Sequence, residues 1–151
     1  MQQFLKIFDS MLVEVYYNLL RLDEYALRMG KLDLTISEMH LLEQVRKGKG
    51  EDMTISKIAE RLGIKSPSVT VAVKKLESKG YLQKTSCSRD GRAVIVSMTK
   101  QGELVDTYHQ YYRRMMIKTV SEDLTASEKE VLLRAVEKLN MYFSESMGGK
   151  A

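Results

Sequence analysis

The sequence predicts a mainly α-helical chain with one small β-hairpin, in the order α-α-α-α-β-β-α-α. Three observations carry that expectation. Segments at both ends place apolar residues at steps of three and four, which puts one apolar stripe on each helix. Hydroxyl residues followed three positions later by glutamate, and glycines at the opposite ends, divide the chain into helical blocks. A single pair of alternating or β-branched runs, "YLQKTS" and "AVIVSM", flanks Asp90-Gly91 and reads as two strands joined by a loop of about six residues.

In order, residues 3–29 carry Phe4, Ile7, Phe8, Met11, Val15, Tyr16, Leu19 and Leu22 along one face of a long helix that Gly30 closes. Thr35 as N-cap, with Glu38 three residues later, is a capping box for a second helix that Gly48 and Gly50 end. "TISKIAERLGI" is a short third helix, capped by Thr54 and stopped by Gly63. "SPSVTVAVKKLESKG" is the fourth, with Ser66 as N-cap and Pro67 at the first helical position, where a missing N–H costs nothing. After the hairpin, Thr99 caps a fifth helix running to about Val120. Thr125 and Glu128 open a sixth, whose apolar face holds Val131, Leu132, Val136, Leu139 and Phe143.

A chain of 151 residues is expected to form one domain, 1–151, and chains of about that length bury roughly two-thirds of their surface. Its expected parts are a central lobe over about 35–100 and long flanking helices over about 2–30 and 103–147. Lys6, Asp9 and Glu14 interrupt the first apolar stretch, so no secretory signal is read there, and no uncharged run approaches a membrane span. The only cysteine, Cys87, excludes an internal disulfide and fits a reducing, cytoplasmic compartment. No Gly-rich phosphate loop, nucleophile elbow or carboxylate–histidine cluster is present, so an enzyme is not expected. His40 and His109 read as isolated from each other, and neither a metal nor another cofactor is expected.

The charge is uneven. Between Lys57 and Arg92 stand nine Lys or Arg against three acidic residues, while the rest of the chain carries fifteen against seventeen. Concentrated positive charge of this kind suits a polyanion. Two helices joined through a short Gly-containing turn, Thr54–Leu62 and Ser66–Lys79, are the sequence form of a helix-turn-helix, whose second helix lies in the major groove of DNA. The hairpin directly after it makes the arrangement winged. Thr54, Lys57, Ser66, Pro67, Ser68, Thr70, Val71, Lys74 and Lys75 are expected at the duplex, where apolar Val71 is free either to touch a thymine methyl or simply to pack. Arg92 is expected in the minor groove, with Arg89 on phosphate and Asp90 aiming an arginine.

"SRDGRAVIVSMTKQG" resembles the wing signature of the MarR family of transcriptional regulators. Asp90, Arg92, Thr99 and Gly102 match, and Met98 stands where leucine is usual. "SPSVTVAVKKLESKGYLQK" is similar to that family's recognition helix and first wing strand, and the flanking helices match in order and length. Val71 and Gly91 depart from the polar or charged residues common there. The resemblance implies a homodimer formed by the first and last helices, through Phe4, Ile7, Phe8, Met11, Val131, Leu132, Val136, Leu139 and Phe143, that binds a pseudo-palindromic operator, most commonly as a repressor. It also implies an effector between the dimerisation helices and the DNA-binding lobe, near Tyr16, Met39, His40, Tyr108, His109 and Tyr112. "ISEMHLL" and "YHQYYRRMM" resemble the subset that represses fatty-acid synthesis with acylated acyl-carrier protein as co-effector. Phenolic or antibiotic-like ligands acting on efflux or stress genes are the alternative, and a protein-binding adaptor the different class.

Overall fold

The structure is a computed structural model that describes residues 1–86 and 94–148. Among them are six helices and a two-stranded sheet in the predicted order: α1 Gln2–Met29, α2 Ile36–Lys47, α3 Ile55–Leu62, α4 Ser66–Ser78, β1 Leu82–Ser86, β2 Val94–Met98, α5 Lys100–Glu122 and α6 Ala126–Gly148.

Local chemistry sets these boundaries. At α2 the capping box is reciprocal: the Glu38 amide donates to Thr35 Oγ1 at 3.2 Å, and the Thr35 amide donates to Glu38 Oε2 at 2.8 Å. Thr54 Oγ1 accepts the Lys57 amide at 3.3 Å to start α3, and Gly63 ends it with φ +64°, a left-handed conformation that favours glycine. α4 differs from expectation by one residue. Lys65, not Ser66, is its N-cap and makes no side-chain cap bond. The Ser68 and Val69 amides both donate to the Lys65 carbonyl, so backbone alone closes the first turn around Pro67. Thr99 joins two elements: its hydroxyl donates to the Gly80 carbonyl at 2.6 Å and accepts the Gly102 amide at 3.1 Å, tying the end of the recognition segment to the start of α5. Thr125 and Glu128 form the second capping box as read.

β1 and β2 pair antiparallel from Leu82↔Met98 to Ser86↔Val94. A third strip of backbone lies against them, with the Val96 amide donating to Met53 at 2.7 Å and Thr54 bridging Ile95. The wing is thereby stitched to the entry of α3. Leu82 and Val96 are buried, and the remaining β1 side chains are all exposed, so only the base of the hairpin is packed on the core.

The chain divides into two compact units, 1–112 and 113–151. The first holds the core, in which Met39, Leu42, Ile58, Val69, Val73 and Leu76 are all but inaccessible. In the second, Val131, Leu132, Val136 and Phe143 of α6 are exposed and Leu139 is half-buried. No described helix is long and apolar enough to cross a membrane.

Candidate nucleic-acid interface

The recognition helix is held by its inner column and free on its outer one. Val69, Val73 and Leu76, at steps of four and three, are fully buried, with Ala72 half-buried beside them. Since each residue turns the helix by about 100°, the opposite column must carry Pro67, Val71, Lys74 and Ser78, and all four are exposed, Val71 by 69%. Ser66, Ser68 and Thr70 line the exposed N-terminal end, where the positive end of the helix dipole favours an anion.

These expected contacts are not equivalent. Thr54 spends its hydroxyl on capping α3, which leaves the exposed Lys57 ammonium as the outward group of that pair. The Thr70 hydroxyl donates to the Ser66 carbonyl at 3.0 Å, so only its lone pairs face outward. Ser66 and Ser68 have no side-chain partner among the described residues, and Lys57, Lys65 and Lys74 have no carboxylate there. Lys75 is different: its ammonium lies 3.2 Å from Glu38 Oε1. On the other flank of α4, Glu77 meets Lys84 of β1 at 2.9 Å. Arg89, Asp90, Arg92 and Cys87 lie outside the described residues.

Sequence reading missed Glu38 as more than a cap. Its carboxylate accepts from the Thr35 amide, from Lys75 and from Lys79, the last at 3.1 and 3.3 Å. Burial alone would push this carboxyl up, but the Thr35 amide, Lys79 and Lys75 outweigh it and hold it below its ordinary value. Burial in turn opposes the charge on Lys79, yet Glu38 and Asp33 raise its pKa. Nothing local signals this cluster, because 41 residues separate Glu38 from Lys79.

A second polar cluster corrects the reading of the two histidines as isolated. Asp23 of α1, buried, receives both: His109 Nε2 of α5 lies 2.9 Å from its Oδ1, and His40 Nε2 of α2 lies 3.8 Å from its Oδ2. Three helices far apart in sequence are drawn to one carboxylate, which is why spacing could not reveal it. Nearby, Arg46 Nε pairs with the buried Asp106 at 3.0 Å, and burial pushes the Asp106 carboxyl up despite the opposing pull of Arg46. Of the residues expected near an effector, Met39 is in the core. Tyr108 and Tyr112 share a 3.0 Å hydroxyl contact, Tyr112 stacks edge-on with Tyr25, and Tyr16 is exposed. Among the described residues no group of three or more His, Cys, Asp or Glu side chains is placed to hold a metal ion.

Residues 32–93 match the MarR family. The chain is 30% identical over 85 residues to the uncharacterized HTH-type transcriptional regulator YhjH of Bacillus subtilis (strain 168), covering 56% of this chain and 47% of that protein. It is 29% identical over 76 residues to the HTH-type transcriptional repressor MdtR of the same organism, covering 50% and 48%. The chain thus spans about half the length of the curated relatives it matches. Among solved structures, Streptococcus pneumoniae FabT in complex with DNA superposes with a TM-score of 0.85 at 26% identity, over 93% of this chain and 97% of that one. The S. aureus MepR–DNA complex shares the fold, with a TM-score of 0.73 at 17% identity over 89% and 95%.

Proposed function

We propose, from the match of residues 32–93 to the MarR family, that the protein is a cytoplasmic, dimeric, sequence-specific DNA-binding transcriptional regulator. The observation that carries the reading is the outer column of α4. A buried apolar column locks the helix to the core, while Val71 and Lys74 stand exposed on the outer column that a major groove would meet, and Ser66 and Ser68 stand exposed at the N-terminal end. Lys57 adds charge from α3. Likeness to the S. pneumoniae FabT chain, determined in complex with DNA, supports DNA as the partner of this chain.

Arg92, with Arg89 and Asp90, is assigned to the neighbouring minor groove, and the exposed apolar residues of α1 and α6 to a second copy of the chain. A twofold axis would place two recognition helices about 34 Å apart and select a pseudo-palindrome. Repression of fatty-acid synthesis genes, with an acylated carrier protein as co-effector, follows the likeness in "ISEMHLL" and "YHQYYRRMM". Release from DNA by a phenolic or antibiotic-like ligand is the alternative.

Selection of bound sequences from random DNA tests the main reading. A pseudo-palindromic consensus is expected, with affinity falling steeply as salt rises, since neutralising phosphates releases counterions. Recovery of no consensus, together with a flat salt response, refutes it. Arg92→Ala is expected to weaken operator binding by at least tenfold in an anisotropy titration, about 1.4 kcal/mol or more; unchanged affinity removes its assigned role. Repeating the titration with acylated and unacylated carrier protein separates the effector readings.

A further inference from the structure

Glu38 sits under the recognition helix rather than on it. Its carboxylate is anchored on one side by the Thr35 amide at 2.8 Å, a backbone group that cannot swing away. On the other side it takes Lys75 at 3.2 Å and Lys79 at 3.1 Å, which stand one turn apart on α4. Asp33, from the segment before α2, adds a carbonyl at 2.8 Å and a carboxylate at 3.6 Å to Lys79. The Glu38 side chain is 6% exposed and that of Lys79 17%, whereas Lys75 remains 57% exposed along its stem.

Lys74 and Lys75 are neighbours in sequence but do not share a helix column. Lys74 projects with Val71 and Ser78; Lys75 and Lys79 project towards α2 and its acid. We propose that Glu38 is a positioning residue for DNA reading. It fixes the rotation of α4 about its own axis, and it withholds two of the three lysines in the C-terminal half of the recognition segment from the phosphate backbone. Attraction to phosphate is blind to sequence and scales with the cations that reach it. An internal carboxylate that occupies Lys75 and Lys79 therefore lowers the sequence-blind part of the affinity on operator and random duplex alike, and leaves discrimination to the side chains that reach base edges. The inference rests on the DNA-binding reading above.

The test compares salt dependence for single variants of the full-length protein on operator and on random duplex. Lys74→Gln and Lys75→Gln remove the same charge from adjacent exposed positions. Lys74→Gln is expected to flatten the slope of log affinity against log salt by about one per bound protomer, and Lys75→Gln by less than half of that. Glu38→Gln keeps an oxygen for the Thr35 amide while releasing the lysines. It is expected to steepen the slope by about one per protomer and to tighten random-duplex binding on the order of tenfold at low salt. Glu38→Asp keeps the charge but is too short to close the capping box, so it separates the two roles: a wild-type slope with a lowered melting temperature supports positioning by charge. Equal flattening by Lys74→Gln and Lys75→Gln, or a Glu38→Asp slope as steep as that of Glu38→Gln, overturns the proposal while leaving DNA binding intact. Failure of the wild-type protein to bind any duplex overturns both.

Discussion

At the scale of single residues, Glu38 and Asp106 are buried carboxyls of opposite habit. Amide and ammonium donors hold Glu38 below its ordinary value of 4.5 despite burial. An acid with a depressed folded-state pKa stabilises above its unfolded value and loses that contribution as pH falls through the folded one. Glu38→Ala is therefore expected to cost about 2 kcal/mol at pH 7, because it removes charged hydrogen bonds to the Thr35 amide and to Lys79, which keeps Asp33 as its remaining partner. The gap in melting temperature to wild type should close as pH drops below about 4. A gap that persists unchanged in acid, read by circular dichroism, rejects the assignment. Asp106 has the reverse sign: burial raises its pKa, so its contribution is fullest in acid and declines as pH rises through the folded value. Gly102 is a steric matter. A methyl there would collide with the Tyr81 carbonyl oxygen, where α5 leaves the sheet. Gly102→Ala is expected to destabilise by about 1–3 kcal/mol in chemical denaturation; a neutral substitution means that the junction is looser than it looks.

At the scale of elements, each boundary reflects a contest between local bonds. Thr54 caps α3 and also bridges Ile95 of β2, so one residue sets both a helix start and the seat of the wing. Thr54→Ala is expected to cost about 1 kcal/mol. For a chain of this size that lowers the melting temperature by about 2–4 °C, and no shift would show the cap to be idle. The helices were legible because their causes are short-range. The boxes at Thr35/Glu38 and Thr125/Glu128, and the stop at Gly63, each act within about three residues. Ser66 was misread as a cap because Ser before Pro offers the right side chain, whereas Lys65 closes the turn with its carbonyl alone. The outward column of α4 could be read from periodicity. The acid beneath it could not, since Glu38 meets its lysines only after the chain has folded back across 37 to 41 residues. For the same reason, no spacing rule unites Asp23 with His40 and His109.

At the scale of the whole molecule, the stripes predicted from three- and four-residue steps are present but uncovered. Phe4 is 64% exposed, and Ile7, Met11, Val131 and Leu132 are about half exposed. Apolar residues in such numbers along the end helices are the surface that the proposed second copy would cover. Ile7→Glu combined with Leu132→Glu is expected to give a monomer in sedimentation velocity that binds the operator at least a hundredfold more weakly, a loss of about 2.7 kcal/mol. A variant that stays dimeric places the interface elsewhere. The uncovered stripes also bear on supply. If occupancy of a control region needs two copies already joined, it climbs with roughly the square of synthesis when partners are scarce. Halving the dose then silences the response by far more than half.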